Sequence, residues 1–218
     1  MPRPIAPTLL IALLAAPIGA AIADDNGGAA PATSAAKPAT WEFGITAYPT
    51  NVRNGENYTS AIARADRGAL HLEARSNYES IGARSAFIGW TFSGENVVTW
   101  SLTPMAGGAW GTTRAFVPGL EASVAYGHFD FYTEIELVRD RRSRTDSYAY
   151  SWSELGYKPV DWLRVGLSTQ RTRTYNDDRD LQRGPFAQVT WGRVTFGGYW
   201  FNPGSKEQVF VGAIGATF

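Results

Sequence analysis

The sequence has no cysteine among its 218 residues, which excludes disulfide frameworks, thiolate metal sites and cysteine nucleophiles at once. Only 2 histidines are present, too few for an imidazole metal cluster. Charge is scarce at 18% and balanced, with 20 Lys+Arg against 20 Asp+Glu, so there is no electrostatic footprint for nucleic acid. Beyond residue 40 no apolar run approaches the roughly 20 residues that a spanning helix needs, and any membrane crossing there must be made by strands. What the chain does have is aromatic residues, at 13%, and 23 glycines, a composition that suggests β-structure with tight turns.

The first 40 residues read as an address. Arg3 supplies a positive charge, Ile5 to Ile22 run uncharged through Leu9-Leu10-Ile11-Ala12-Leu13-Leu14, and Ala21-Ile22-Ala23 offers an A-x-A cleavage site. The expectation is a secretory signal peptide over 1–23, cleaved after Ala23. Pro7 and Pro17 interrupt the apolar stretch and argue against an uncleaved anchor. Residues 24–40, rich in Ala and Pro, are expected to form a disordered leader, followed by one domain over 41–218.

In that domain hydrophobicity alternates with a period of two. Trp41, Phe43 and Ile45 alternate with Glu42, Gly44 and Thr46; Leu70, Leu72 and Ala74 with His71, Glu73 and Arg75; Leu163, Val165 and Leu167 with Arg164, Gly166 and Ser168. Each strand has one apolar and one polar face. Twelve strands are expected, with ten as the alternative, and their connections differ by parity. After even-numbered strands come short links such as Asp66-Arg67-Gly68, Ser93-Gly94-Glu95-Asn96, Gly127-His128, Lys158-Pro159-Val160-Asp161 and Gly192-Arg193. After odd-numbered strands most links are longer or more charged, as in Asn51 to Glu56, Asp140 to Asp146 and Asn176 to Asp180. Short turns on one rim and long loops on the other predict an all-β, antiparallel up-and-down transmembrane barrel.

The last strand adds a resemblance. Phe210, Gly212, Ile214, Ala216 and the final Phe218 fall on one face, and this resembles the C-terminal signal of bacterial outer-membrane β-barrel proteins, with Phe210, Ile214 and Phe218 as its apolar positions. Ala216 departs from it, since an aromatic is common there. The resemblance implies a Gram-negative outer membrane, contact with its lipids, and the barrel assembly machinery as a partner in biogenesis. It also implies long loops outside and both ends of the barrel domain in the periplasm.

Strand phase then separates a lipid face from a lumen. Trp41, Trp90, Trp100, Trp191 and Trp200 are expected outward, in interfacial girdles. Glu42, Arg64, Asp66, Glu73, Arg75, Glu121, Asp130, Glu134, Glu136 and Arg164 are the lumen-lining candidates, because charges turned to lipid would cost up to a few kcal/mol each. Twelve strands about 4.8 Å apart and tilted about 40° give a barrel roughly 24 Å across. That admits water, ions and small solutes if side chains leave room. Two arrangements fit: an open passage with carboxylates facing Arg64 and Arg75, or a salt-bridged plug.

Chemistry is harder to find. Neither His71 nor His128 lies toward the long loops, so the serines there have no imidazole to activate them. His71-Leu72-Glu73 lacks an HExxH or Cys partner, and neither a metal nor a cofactor is expected. Arg53, Arg114, Arg139, Arg141, Arg142, Arg144, Arg171, Arg173 and Arg179 fall near the outer rim, where lipopolysaccharide phosphates or the loop carboxylates Asp140, Asp146, Asp177, Asp178 and Asp180 could meet them. The functional expectation is a narrow porin-like channel for ions or small solutes and not an enzyme. The alternatives are a non-conducting barrel serving as anchor, adhesin or envelope component and, more distantly, a lipid hydrolase.

Overall fold

The alternating segments become strands because each can bury one face and turn the other to a different medium. The computed structural model describes residues 39–175 and 179–218. The expected signal peptide with Ala21 and Ala23, the leader as far as residue 38, and Asn176, Asp177 and Asp178 lie outside the described residues.

The strands are β1 (Glu42–Val52), β2 (Tyr58–Arg67), β3 (Leu70–Ser76), β4 (Ala83–Trp90), β5 (Phe92–Glu95), β6 (Thr99–Gly111) and β7 (Ala115–Tyr126). They continue as β8 (Phe129–Asp140), β9 (Tyr148–Val160), β10 (Leu163–Thr174), β11 (Arg179–Trp191), β12 (Val194–Phe201) and β13 (Val209–Thr217). Every pairing is antiparallel, each strand except β4 and β5 pairs with both of its neighbours in sequence, and β1 closes on β13. β4 and β5 both pair with β6 in one register, so they are two halves of one stave and the barrel has twelve. The interruption has a cause in β6. Pro104, which falls opposite Trp90 in that register, has no N–H to give to the ladder. Pro49 and Pro118 sit at similar gaps, in the β1–β13 and β7–β8 ladders.

Turns and loops sort by rim. One rim carries Gly68-Ala69, Asn96 to Val98, Gly127-His128, Asp161-Trp162 and Gly192-Arg193; the other carries longer links such as 77–82, 141–147 and 202–208. Three short links differ from expectation. Asp66-Arg67 closes β2 and the turn is Gly68-Ala69, Ser93-Gly94-Glu95 belongs to β5 and the turn falls at Asn96 to Val98, and Lys158-Pro159-Val160 extends β9. β6 runs through the glycine-rich stretch to Gly111, leaving only Thr112 to Arg114 as the link to β7. Glycine-rich strand ends resemble turns in sequence because glycine serves both.

The exterior is built for lipid. Ile88, Leu137, Leu155, Leu167, Phe196, Phe210 and Ile214 stand exposed on it, a belt that no water-soluble protein would display. The five expected tryptophans are all outward, Trp191 being 85% exposed. Trp41, Trp90, Trp100, Tyr126, Phe129, Trp162, Trp191 and Phe218 gather near the short-turn rim, while Trp110, Phe116, Trp200 and Phe210 lie toward the other.

Candidate functional site

The lumen is the candidate functional region, and two arginines organise it. Arg75 on β3 reaches across the barrel. Its guanidinium donates to Glu136 at 2.6 Å and to Glu134 at 2.9 Å, both on β8, and its Nε bonds Glu73 on its own strand. All four side chains are buried. The guanidinium lies between rings, 4.2 Å from the Tyr78 centroid and 4.3 Å from that of Phe87, and the Tyr78 hydroxyl donates to Glu134 at 3.1 Å. Since β3 and β8 are separated by β4, β6 and β7 around the wall, this network spans the lumen.

Arg164 on β10 holds the second network. It bonds Asp130 of β8, Glu154 of β9 and Gln188 of β11, the last at 3.1 Å. Glu154 also accepts from Trp152 at 2.9 Å and from Tyr199 at 2.8 Å. Here Gly156 is required by close approach: a Cβ on it would stand 2.6 Å from Arg164 Nε and 2.7 Å from both Asp130 oxygens.

Between these networks and the long loops the lumen is packed with rings. Trp152 meets Tyr199 at 5.2 Å and Phe201 at 5.3 Å, edge-on, with Tyr48, Tyr132, Tyr150 and Phe186 in the same cluster. Gln170 donates to Gln182 at 2.6 Å. On the long-loop side the 77–82 link turns inward. Tyr78 and Glu79 are buried, the Tyr148 hydroxyl donates to the Glu79 carbonyl at 2.9 Å, and neither Glu79 carboxylate oxygen has a hydrogen-bond partner among the described residues. Burial pushes that carboxyl above its ordinary range; Arg75 pulls it down and Glu136 raises it further.

The ten lumen candidates divide by surroundings. Glu73, Arg75, Glu134 and Glu136 form the first network, and Asp130 and Arg164 the second. Arg64 lies against β1, where a Cβ on Gly44 would come within 2.7 Å of its Nε. Asp66 accepts from His71 Nδ1 at 2.7 Å, Glu121 lies close to His71 and Glu73, and Glu42 is exposed at the rim. Sequence reasoning missed Glu154, Gln188, His71 and the inward aromatics. Leu155 and Tyr157, outward, fix the phase that turns Glu154 inward. Trp152 obscured that phase because it is a tryptophan on the lumen side.

At the long-loop rim, Asp140 accepts the backbone N–H groups of Arg142 and Ser143, and the Arg144 guanidinium lies 5.0 Å over the Tyr175 ring. His128 stays on its short turn, bonded to the Lys158 carbonyl at 2.7 Å.

No protein-family model matches the chain, and no curated protein matches it. Solved structures do. The chain is similar to the KdgM porin, with a TM-score of 0.59 at 9% identity over 80% of this chain and 99% of that one. It is similar to the NanC porin, with a TM-score of 0.56 at 10% identity over 81% and 98%. The KdgM porin in complex with disordered oligogalacturonate gives a TM-score of 0.56 at 8% identity over 80% and 98%. At these identities the similarity is one of fold, a closed antiparallel β-barrel.

Proposed function

We propose that the chain is a narrow, porin-like channel of a Gram-negative outer membrane, exported by a signal peptide over 1–23 and passing ions or small solutes. The observation that carries this is the sorting of charge in a chain with none overall. Asp66, Glu73, Glu121, Asp130, Glu134, Glu136 and Glu154 face the lumen against Arg64, Arg75 and Arg164, inside a wall whose outer face is apolar. A barrel that serves only as an anchor gains nothing from burying carboxylates, each of which costs desolvation. An acidic constriction attracts cations more strongly than the same groups in bulk water. The reading therefore favours cationic or neutral solutes, and a carboxylate-bearing chain such as the oligogalacturonate recorded with the KdgM porin would be repelled. The porin fold of the structural neighbours supports transport over catalysis.

The Arg75 network supports a second reading, a non-conducting barrel, because it spans the passage with buried side chains. As a channel the protein conducts when that network and the inward link 77–82 yield. Reversal potentials in planar bilayers under a salt gradient separate the two. In a channel, Glu134→Gln with Glu136→Gln lowers cation preference; in a plug the wild type is silent and the double variant changes only stability. The arginines of the long-loop rim, Arg53, Arg114, Arg141, Arg142 and Arg144 among them, suit lipopolysaccharide phosphates. Phe210, Ile214 and Phe218 stand on the outer face of β13, available to the assembly machinery.

A further inference from the structure

Below the Arg75 network, toward the short-turn rim, one histidine is held as metal-binding histidines are held. His71 is 5% exposed. Its Nδ1 lies 2.7 Å from an Asp66 carboxylate oxygen, a contact that places a proton on Nδ1, so that Nε2 is the nitrogen the neutral imidazole would offer to a metal. That Nε2 is buried and has no hydrogen-bond partner among the described residues. It points toward Glu73 Oε2, 3.8 Å away, and one ligand atom from each of His71, Glu73 and Glu121 falls within 4.8 Å of the others. Glu73 gives its other oxygen to Arg75, so Oε2 is available. Glu121 makes no hydrogen bond or salt bridge with a described residue. It also stands directly across the β7–β8 ladder from Glu134, and like charges so placed repel.

We propose that His71, Glu73 and Glu121 form a lumenal site for one divalent transition-metal cation of the zinc class, with Asp66 orienting the imidazole. The chemistry fits on three counts. One imidazole nitrogen with two carboxylates is a donor set that zinc accepts, at about 2.0–2.2 Å from each ligand; the spread of ligand atoms closes to that by side-chain rotation. Three protein ligands leave a position for water or solute. Charge also favours a cation: Arg75 is shared among Glu73, Glu134 and Glu136, and Glu121 has no salt bridge among the described residues. The ligands come from β3 and β7, with β4 and β6 between them in the wall, so a bound ion would tie two sides of the barrel together. Its level lies within reach of the short-turn mouth, where Asp66 is partly exposed.

The test uses the untagged full chain refolded in detergent, each variant first shown to fold by heat-modifiable gel mobility. Zn²⁺ is titrated calorimetrically, and Co²⁺ serves as a spectroscopic probe of the donor set. Wild type is expected to bind one ion saturably and to give Co²⁺ visible bands of low coordination number. His71→Ala should abolish both, Glu121→Gln should weaken binding at least tenfold, and Asp66→Asn should weaken it roughly 10–100-fold, as loss of an orienting carboxylate does elsewhere. His128→Ala, which alters the other histidine, should leave binding unchanged. Absence of saturable binding in the wild type overturns the proposal, as does binding that survives His71→Ala, that is not weakened by Glu121→Gln, or that disappears with His128→Ala. Binding is read without any membrane current, so the result stands apart from whether the barrel conducts.

Discussion

The two arginine networks are built from the same parts and do different work. In each, a guanidinium lies over a phenylalanine ring, Arg75 over Phe87 at 4.3 Å and Arg164 over Phe186 at 4.7 Å. In each, that ring lies against a glycine of the next strand, Gly107 or Gly166, where a Cβ would collide with it. The acceptors differ. Those of Arg164 sit on β8, β9 and β11, its near neighbours in the wall, whereas Arg75 takes two of its three from β8 across the lumen. The Arg164 network stiffens one arc of the barrel; the Arg75 network joins two separate stretches of wall across the lumen and closes the space between them. A charged side chain in a barrel therefore acquires its role from the chord its partners span, even when its immediate packing is the same.

The strongest way to break this comparison is Arg75→Ala. It leaves Glu73, Glu134 and Glu136 buried without their cation, and removing one partner of a buried ion pair costs about 3–5 kcal/mol. Urea unfolding in detergent should show a loss at the upper end of that range, accompanied by larger single-channel conductance if the barrel is a channel. Arg164→Ala should cost less, about 3 kcal/mol, because Asp130 lies nearer water at the short-turn end, and it should leave conductance little changed. Equal effects of the two variants on conductance would remove the distinction between wall and chord.

How much of this was legible in the sequence follows from which interactions are local. Alternation in β3, β8 and β10 gave the inward phase of Glu73, Arg75, Glu134, Glu136 and Arg164, since side-chain period is a property of one strand. The parity of link lengths gave the antiparallel closure. Proline was the blind spot along the strands: Pro104 breaks the β4–β5 stave from the opposite side of the ladder, so nothing in Trp90-Thr91-Phe92 announces it. The partner of Arg75 was not legible either, since β3 and β8 meet only through the curvature of a closed barrel. For the same reason His71-Leu72-Glu73 looks like background in isolation and gains meaning only when β7 delivers Glu121.

Gly156→Ala probes the Arg164 network more gently. The added methyl would press on Arg164 Nε and on both Asp130 oxygens, and these must shift while Glu154 and Gln188 hold the rest of the guanidinium. Overpacking of this kind costs about 1–3 kcal/mol. The unfolding midpoint should fall accordingly while reversal potential stays unchanged. A shift in ion preference would mean that Arg164 also lines the conducting path.

The smallest effect belongs to the 77–82 link, which covers the Arg75 network from the long-loop side. Glu79 is 1% exposed and both its carboxylate oxygens lack hydrogen-bond partners among the described residues. Burial raises its folded-state pKa, with the Arg75 charge opposing and the Glu136 charge adding to the rise. A carboxyl whose pKa is raised on folding binds its proton more tightly in the native state. It therefore adds no penalty below the unfolded value of about 4.3, and it destabilises progressively as pH climbs from there through the folded value. Glu79→Gln removes that slope. The difference in stability between variant and wild type should be near zero at pH 4 and grow to about 1 kcal/mol in favour of the variant at neutral pH, the scale of an unsatisfied buried polar group. Unfolding midpoints across that pH series measure it. A difference that stays flat would place the Glu79 carboxyl in water, and the link would then no longer count as part of the closure that Arg75 makes across the lumen.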